Sequence, residues 1–90
     1  EVKDIVLRIN KKRYGYIKTK KLHWTQDEIK ERETEDSVFV SIQVKVNNEL
    51  FSTLLSFGQD LEVISPIDVR DRMTEVVKSM YNSYMGNQHE

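Results

Sequence analysis

The stretch Ser37–Val46, SVFVSIQVKV, sets Val38, Val40, Ile42, Val44 and Val46 in alternation with Phe39, Ser41, Gln43 and Lys45. β-Branched residues at period two line one face of a strand, and the period leaves the other face mixed. No other segment of the 90 residues is patterned so cleanly, which places this strand at the centre of a sheet. The pattern defines a core and not a chemistry.

Working back from it, Asp4–Ile9 reads as a first strand with Ile5, Leu7 and Ile9 on one face and Val6 and Arg8 on the other. Asn10 is placed to cap a helix from Lys11 toward Leu22, held by Tyr14 and Ile17. Lys11, Lys12, Arg13, Lys18, Lys20 and Lys21 fall in this segment. At 100° per residue they scatter around the helix and form no stripe, so a solvated surface helix is expected and a phosphate-binding one is not. Thr25–Glu33 reads as a charged edge strand with Ile29 as its main apolar residue, and Thr34-Glu35-Asp36 as the turn into the central strand. Glu31, Glu33, Glu35 and Asp36 lack the His, Asn or Gly pattern of a coordination loop.

Working forward, Asn47 or Asn48 caps a helix whose Leu50, Leu54 and Phe57 share a face with Phe51 and Leu55 beside them. Gly58 stands where a positive φ is wanted. Leu61–Ile64 is a short strand. Ser65-Pro66-Ile67-Asp68 then opens a last helix, with Ser65 as N-cap and Pro66 in its first turn. The stripe Val69, Met73, Val76, Val77, Met80 and Tyr84 is expected to be buried, and Gly86–Glu90 to be a frayed tail.

Strand, helix, strand, strand, helix, strand and a further helix make an α+β chain. Its first six elements fit a ferredoxin-like split βαββαβ: a four-stranded antiparallel sheet, here with an additional C-terminal α-helix, in one domain over residues 1–85. The face carrying Val6, Arg8, Phe39, Ser41, Gln43 and Lys45 would be left for the last helix, a neighbouring domain or a second copy to cover.

Composition bounds the function. Cysteine is absent, which removes disulfides, thiolate catalysis and Cys-based zinc sites and suits a cytoplasmic location. A net charge of −1 supplies no general attraction to nucleic acid or anionic membrane, and no apolar run is long enough to span one. No Ser-His-Asp set or phosphate loop is visible, so neither an enzyme nor a cofactor is expected. The start at Glu1 suggests a domain taken from a longer chain.

Leu54–Pro66, LLSFGQDLEVISP, followed by Asp68-Val69-Arg70 and a helix ending in Tyr81 and Tyr84, resembles the closing segment of bacterial WYL-domain transcription regulators, the WYL C-terminal extension. Asp4–Ile9 is similar to that family's first strand. Leu22-His23-Trp24-Thr25-Gln26 is similar to its His-x-Ser-Gln element, with Thr25 where Ser is usual, and Asn48-Glu49-Leu50 to the segment before its second helix. The resemblance implies a ligand-sensing, homodimeric regulator in which a DNA-binding helix-turn-helix and a WYL barrel precede this domain. Neither is present in these residues, so DNA contact would run through the missing N-terminal part. It makes His23, Trp24, Gln26 and Arg70 candidate interdomain or ligand contacts, and Phe39, Gln43, Tyr81 and Tyr84 a candidate dimer or partner face. The competing expectation is an RNA-recognition-like nucleic-acid or nucleotide binder on the same fold. Phe39 is the lone aromatic that the central strand offers for stacking on the open face.

Overall fold

The structure is a computed structural model that describes residues 1–86. Its elements are β1 (Val2–Asn10), α1 (Lys11–Thr19), β2 (Asp27–Glu28), β3 (Ser37–Lys45), α2 (Asn48–Leu55), β4 (Leu61–Ser65) and α3 (Ile67–Gly86). Single 3-10 turns at Lys30–Arg32 and Gly58–Asp60 join them. The four strands form one sheet in the order β2-β3-β1-β4, with every neighbouring pair antiparallel.

The alternation in β1 and β3 is resolved as expected. β1 pairs with β3 from Val2↔Lys45 to Asn10↔Ser37, so Ile5 and Ile42, and Leu7 and Val40, stand opposite one another on a single face. That face meets Ile17 of α1 and Phe51 and Leu54 of α2, joined by Phe57, Leu61, Val63 and Val69, to form one core. Full burial of each large side chain contributes roughly 1.5–3 kcal/mol.

Local signals position the helices. The Asn10 side chain accepts the Lys12 amide at 2.9 Å and the Asn47 side chain accepts the Leu50 amide at 2.8 Å, so both caps form. Gly58 takes a φ of +57° with nothing within 4 Å of where a Cβ would stand. Its requirement is therefore backbone conformation alone, which costs other residues about 1–2 kcal/mol.

Four expectations are corrected. The strand expected over Thr25–Glu33 is only Asp27–Glu28, followed by the turn at Lys30–Arg32. With Ile29 as its one apolar anchor, this segment has too little to bury along β3, and the chain leaves the ladder after the Ile29 amide reaches the Phe39 carbonyl at 2.8 Å. Ser65 does not cap α3. It is the last residue of β4, paired with Val6, and the first helical bond runs from the Arg70 amide to the Pro66 carbonyl at 3.0 Å. The Ser65–Pro66 peptide is cis.

The largest correction concerns α3. Only Val69 of its stripe is buried, and Met73 is half-buried. The cause is length. Twenty residues of helix span about 30 Å, whereas the five-residue strand beside it spans about 17 Å. Val77 and Lys78 still lie next to Leu61 at the start of β4, but the helix then outruns the sheet. Fourth, Gly86 closes α3 instead of beginning a tail; the remainder of the expected tail, 87–90, lies outside the described residues.

Candidate interaction surfaces

The turn between α1 and β2 carries the residues of the His-x-Ser-Gln-like element. Gln26 is buried: its Oε1 accepts the Leu22 amide at 2.9 Å and its Nε2 donates to the Ile17 carbonyl at 3.3 Å. The Thr25 hydroxyl accepts the Gln43 amide at 2.9 Å, standing in for a backbone partner where β2 has not yet begun. The same hydroxyl lies 2.8 Å from His23 Nδ1, which also accepts the Thr25 amide at 3.3 Å. His23, Thr25 and Gln26 are thus spent inside the domain as a clamp that fixes the turn. Trp24, held between them, projects into solvent with 83% of its surface exposed. Its ring stands 5.7 Å from that of His23 at 31°.

Trp24 borders a groove of about 570 Å³ formed by this turn, Val2 at the start of β1, Gln43–Lys45 at the end of β3, and Asn47, Glu49, Leu50 and Thr53 around the start of α2. Val2, Leu22, Val44 and Leu50 make its walls apolar. Lys45 and Glu49 form no salt bridge among the described residues.

Arg70, the fourth candidate contact, faces β4. Its Nη1 donates to Glu62 Oε2 at 2.8 Å and to the Val63 carbonyl at 2.7 Å. Across the β1–β4 ladder Arg8 opposes Glu62, and its Nε donates to Glu62 Oε1 at 2.8 Å while Nη1 reaches the Ser37 hydroxyl at 3.1 Å. One carboxylate is therefore shared by two guanidiniums. The hydrogen bond from Arg8, then that from Arg70, hold the Glu62 carboxyl below its ordinary value of 4.5. In the same first turn of α3, Lys3 of β1 meets Asp68 at 2.9 Å; this bond raises the lysine and lowers the aspartate. These contacts tie α3 to the sheet where its own cap is missing.

Of the candidate partner face, Phe39 is half-buried under the Arg32 guanidinium, 4.7 Å from the ring, and Gln43 is exposed. Tyr81 and Tyr84 are 62% and 83% exposed on the overhanging part of α3. With them stand Val77 at 51% and Met80 at 49%. Of the four sequence candidates, two belong to the sheet and two to the overhanging helix. On the opposite edge, the Tyr14 hydroxyl donates to Glu28, and burial followed by this bond pushes the phenol upward. No group of three or more His, Asp or Glu side chains converges as a metal site would need, among the described residues. No helix of the described residues is long and apolar enough to cross a membrane.

The groove and the Arg8–Glu62–Arg70 cluster were not legible as sites in the sequence. Both depend on register. Arg8 and Glu62 become neighbours only through a β1–β4 ladder that shifts between Val6 and Leu7, and no local pattern announces that shift.

A mixed α+β domain, with one sheet face covered by helices and an amphipathic helix extending past the sheet, is the class these features define. Its sequence matches the profile of the WCX domain over residues 1–81, and the chain belongs to that family, the C-terminal extension of WYL-domain regulators. No curated protein matches it.

Proposed function

We propose that this chain is the C-terminal regulatory and dimerisation domain of a cytoplasmic WYL-type DNA-binding transcription regulator, without chemistry of its own. In this reading a helix-turn-helix elsewhere in the regulator contacts DNA and a WYL barrel senses the ligand. The domain converts that signal into a change in how two copies are arranged, which requires contacts that differ between the two states. The strand order β2-β3-β1-β4 with antiparallel neighbours supports reading the fold as a ferredoxin-like split βαββαβ.

The observation that carries the dimerisation reading is the uncovered stripe of α3. Val76, Val77, Met80 and Tyr84 continue, in phase, the row begun by Val69 and Met73 in the core. A helical segment this short is marginal in water by itself, so its apolar side favours a partner. Ser79 and Ser83 lie on the Arg72 side of the row and Thr74 and Tyr81 on the other. Beyond Lys78, which lies with Val77 beside Leu61, no charged residue falls in the described part of the helix, so nothing there repels a second copy packed against it in two-fold symmetry. Base stacking on the open sheet face has less support, because Phe39 is already covered by Arg32.

Light scattering of the 90-residue chain across a wide concentration range tests this. The expected result is a mass of two chains at the upper concentrations, and of one chain for Met80→Lys at every concentration. A wild-type chain that stays monomeric throughout would overturn dimerisation by this domain.

A further inference from the structure

We infer that two copies of this chain pair through the overhanging part of α3 with the helices antiparallel, crossing between Met80 and Tyr84. This rests on the dimerisation reading above and gives it a geometry. The exposed row of α3 is in phase with Val69, which is in the domain's own core, and Met73, which packs against it. Along the whole helix the row therefore points to the side on which the sheet stands. The sheet ends beside Val77 and Lys78, where Leu61 begins β4. Beyond them the same side of α3 is open, and the bay so formed is about 12 Å long from Lys78 to Gly86.

The direction of the row decides how a second copy can enter. Packed helices lie about 8–10 Å apart, axis to axis. In a parallel pair each row would face the other helix, so both sheets would have to occupy the same volume between the helices. In an antiparallel pair the sheets fall at opposite ends and each overhang fills the bay of the other copy. Two-fold symmetry then makes the contact of Met80 with the other copy's Tyr84 twice over. Charge marks the same boundary. Asp71, Arg72, Glu75 and Lys78 all lie on the part of α3 that runs beside the sheet, whereas Ser79–Gly86, the part that enters the bay, has no charged residue on any face. A helix facing solvent carries charge opposite its apolar row. Its loss where the sheet ends fits a segment enclosed by a second copy.

Distances between nitroxide labels, measured by pulsed electron paramagnetic resonance on the 90-residue chain, test the inference. The chain has no cysteine, so one introduced cysteine takes the only label. Asp71→Cys and Asn82→Cys replace exposed side chains, the first beside the sheet and the second in the overhang. In the antiparallel pair position 71 lies roughly 17 Å along the helix from the crossing point and position 82 lies at it. The two labels at 71 should therefore stand at least about 15 Å further apart than the two at 82. Met80→Lys, added to either variant, should abolish the dipolar signal while leaving the far-ultraviolet circular dichroism intact. Equal separations at 71 and 82 would mean a parallel pair, which would overturn the inference and leave dimerisation standing. A signal that survives Met80→Lys would place the contact elsewhere and overturn it as well. No dipolar signal at any concentration would remove this inference and the dimerisation reading together.

Discussion

α2 and α3 carry the same kind of signal and meet opposite fates. Each has an apolar row at helical spacing. In α2 the row is delivered to the sheet: Phe51 and Leu54 are buried, and Leu50 packs against the core. In α3 the row begins in the core at Val69 and then runs on past the start of β4 into solvent. Amphipathicity states that a helix has a partner. It does not state that the partner belongs to the same domain, and only the length of the neighbouring strand decides that here.

The sharpest way to break this comparison is truncation of one side chain in each row. Leu54→Ala should lower the unfolding free energy by about 2–5 kcal/mol, whereas Met80→Ala should change it by no more than about 0.5 kcal/mol at concentrations where the chain is monomeric. Urea denaturation of the two variants reads both values. Similar losses would mean that the outer half of α3 packs on its own domain after all.

A smaller effect sharpens the contrast in how the two helices are started. α2 has the side-chain cap of Asn47, so Asn47→Ala should cost about 1 kcal/mol, read as a lower urea midpoint with an unchanged slope. α3 has Pro66 in that place and is fastened by Lys3–Asp68 and Arg70–Glu62 instead.

The smallest effect tests that fastening through pH. The Glu62 carboxyl is held below its ordinary value by Arg8 and Arg70. A carboxylate with a lowered folded value binds fewer protons folded than unfolded. Its contribution is therefore complete above 4.5 and is lost as pH falls through the folded value. Side-chain exposure of 38% limits the contribution to less than about 1 kcal/mol. Glu62→Gln should accordingly lower stability near neutrality and converge with the wild type in acid. A deficit that stays constant with pH would assign the cost to packing.

Most of the fold was legible because it rests on local rules. The alternation in Ser37–Val46 and Asp4–Ile9, the Asn10 and Asn47 caps and the positive φ at Gly58 each need only a few neighbouring residues to read. The failures share another cause. Ser65 looks like a helix cap until its pairing with Val6 is known, and Thr25–Glu33 looks like a strand until its lack of apolar anchors along β3 is weighed. The candidate contacts divide the same way. Trp24 was found as a candidate and is exposed, but Gln26 and Arg70 turn inward to hydrogen bonds with partners four to nine residues away, which only the folded turn and the packing of α3 on β4 bring into reach. Leu22, Lys45 and Leu50, which complete the groove, read only as parts of their own elements, and nothing local marked them as sharing a groove because that depends on how the turn, β3 and α2 come together.

The clamp around Trp24 separates the cost of holding a turn from the choice of what the turn displays. His23, Thr25 and Gln26 do the holding, and a serine hydroxyl in place of Thr25 could serve the Gln43 amide equally well. Position 24 takes no part in those hydrogen bonds and meets the clamp only where its ring stands beside that of His23. It works like the interchangeable bit of a tool whose chuck stays the same: a new side chain there alters what the domain displays, while the chain around it folds as before.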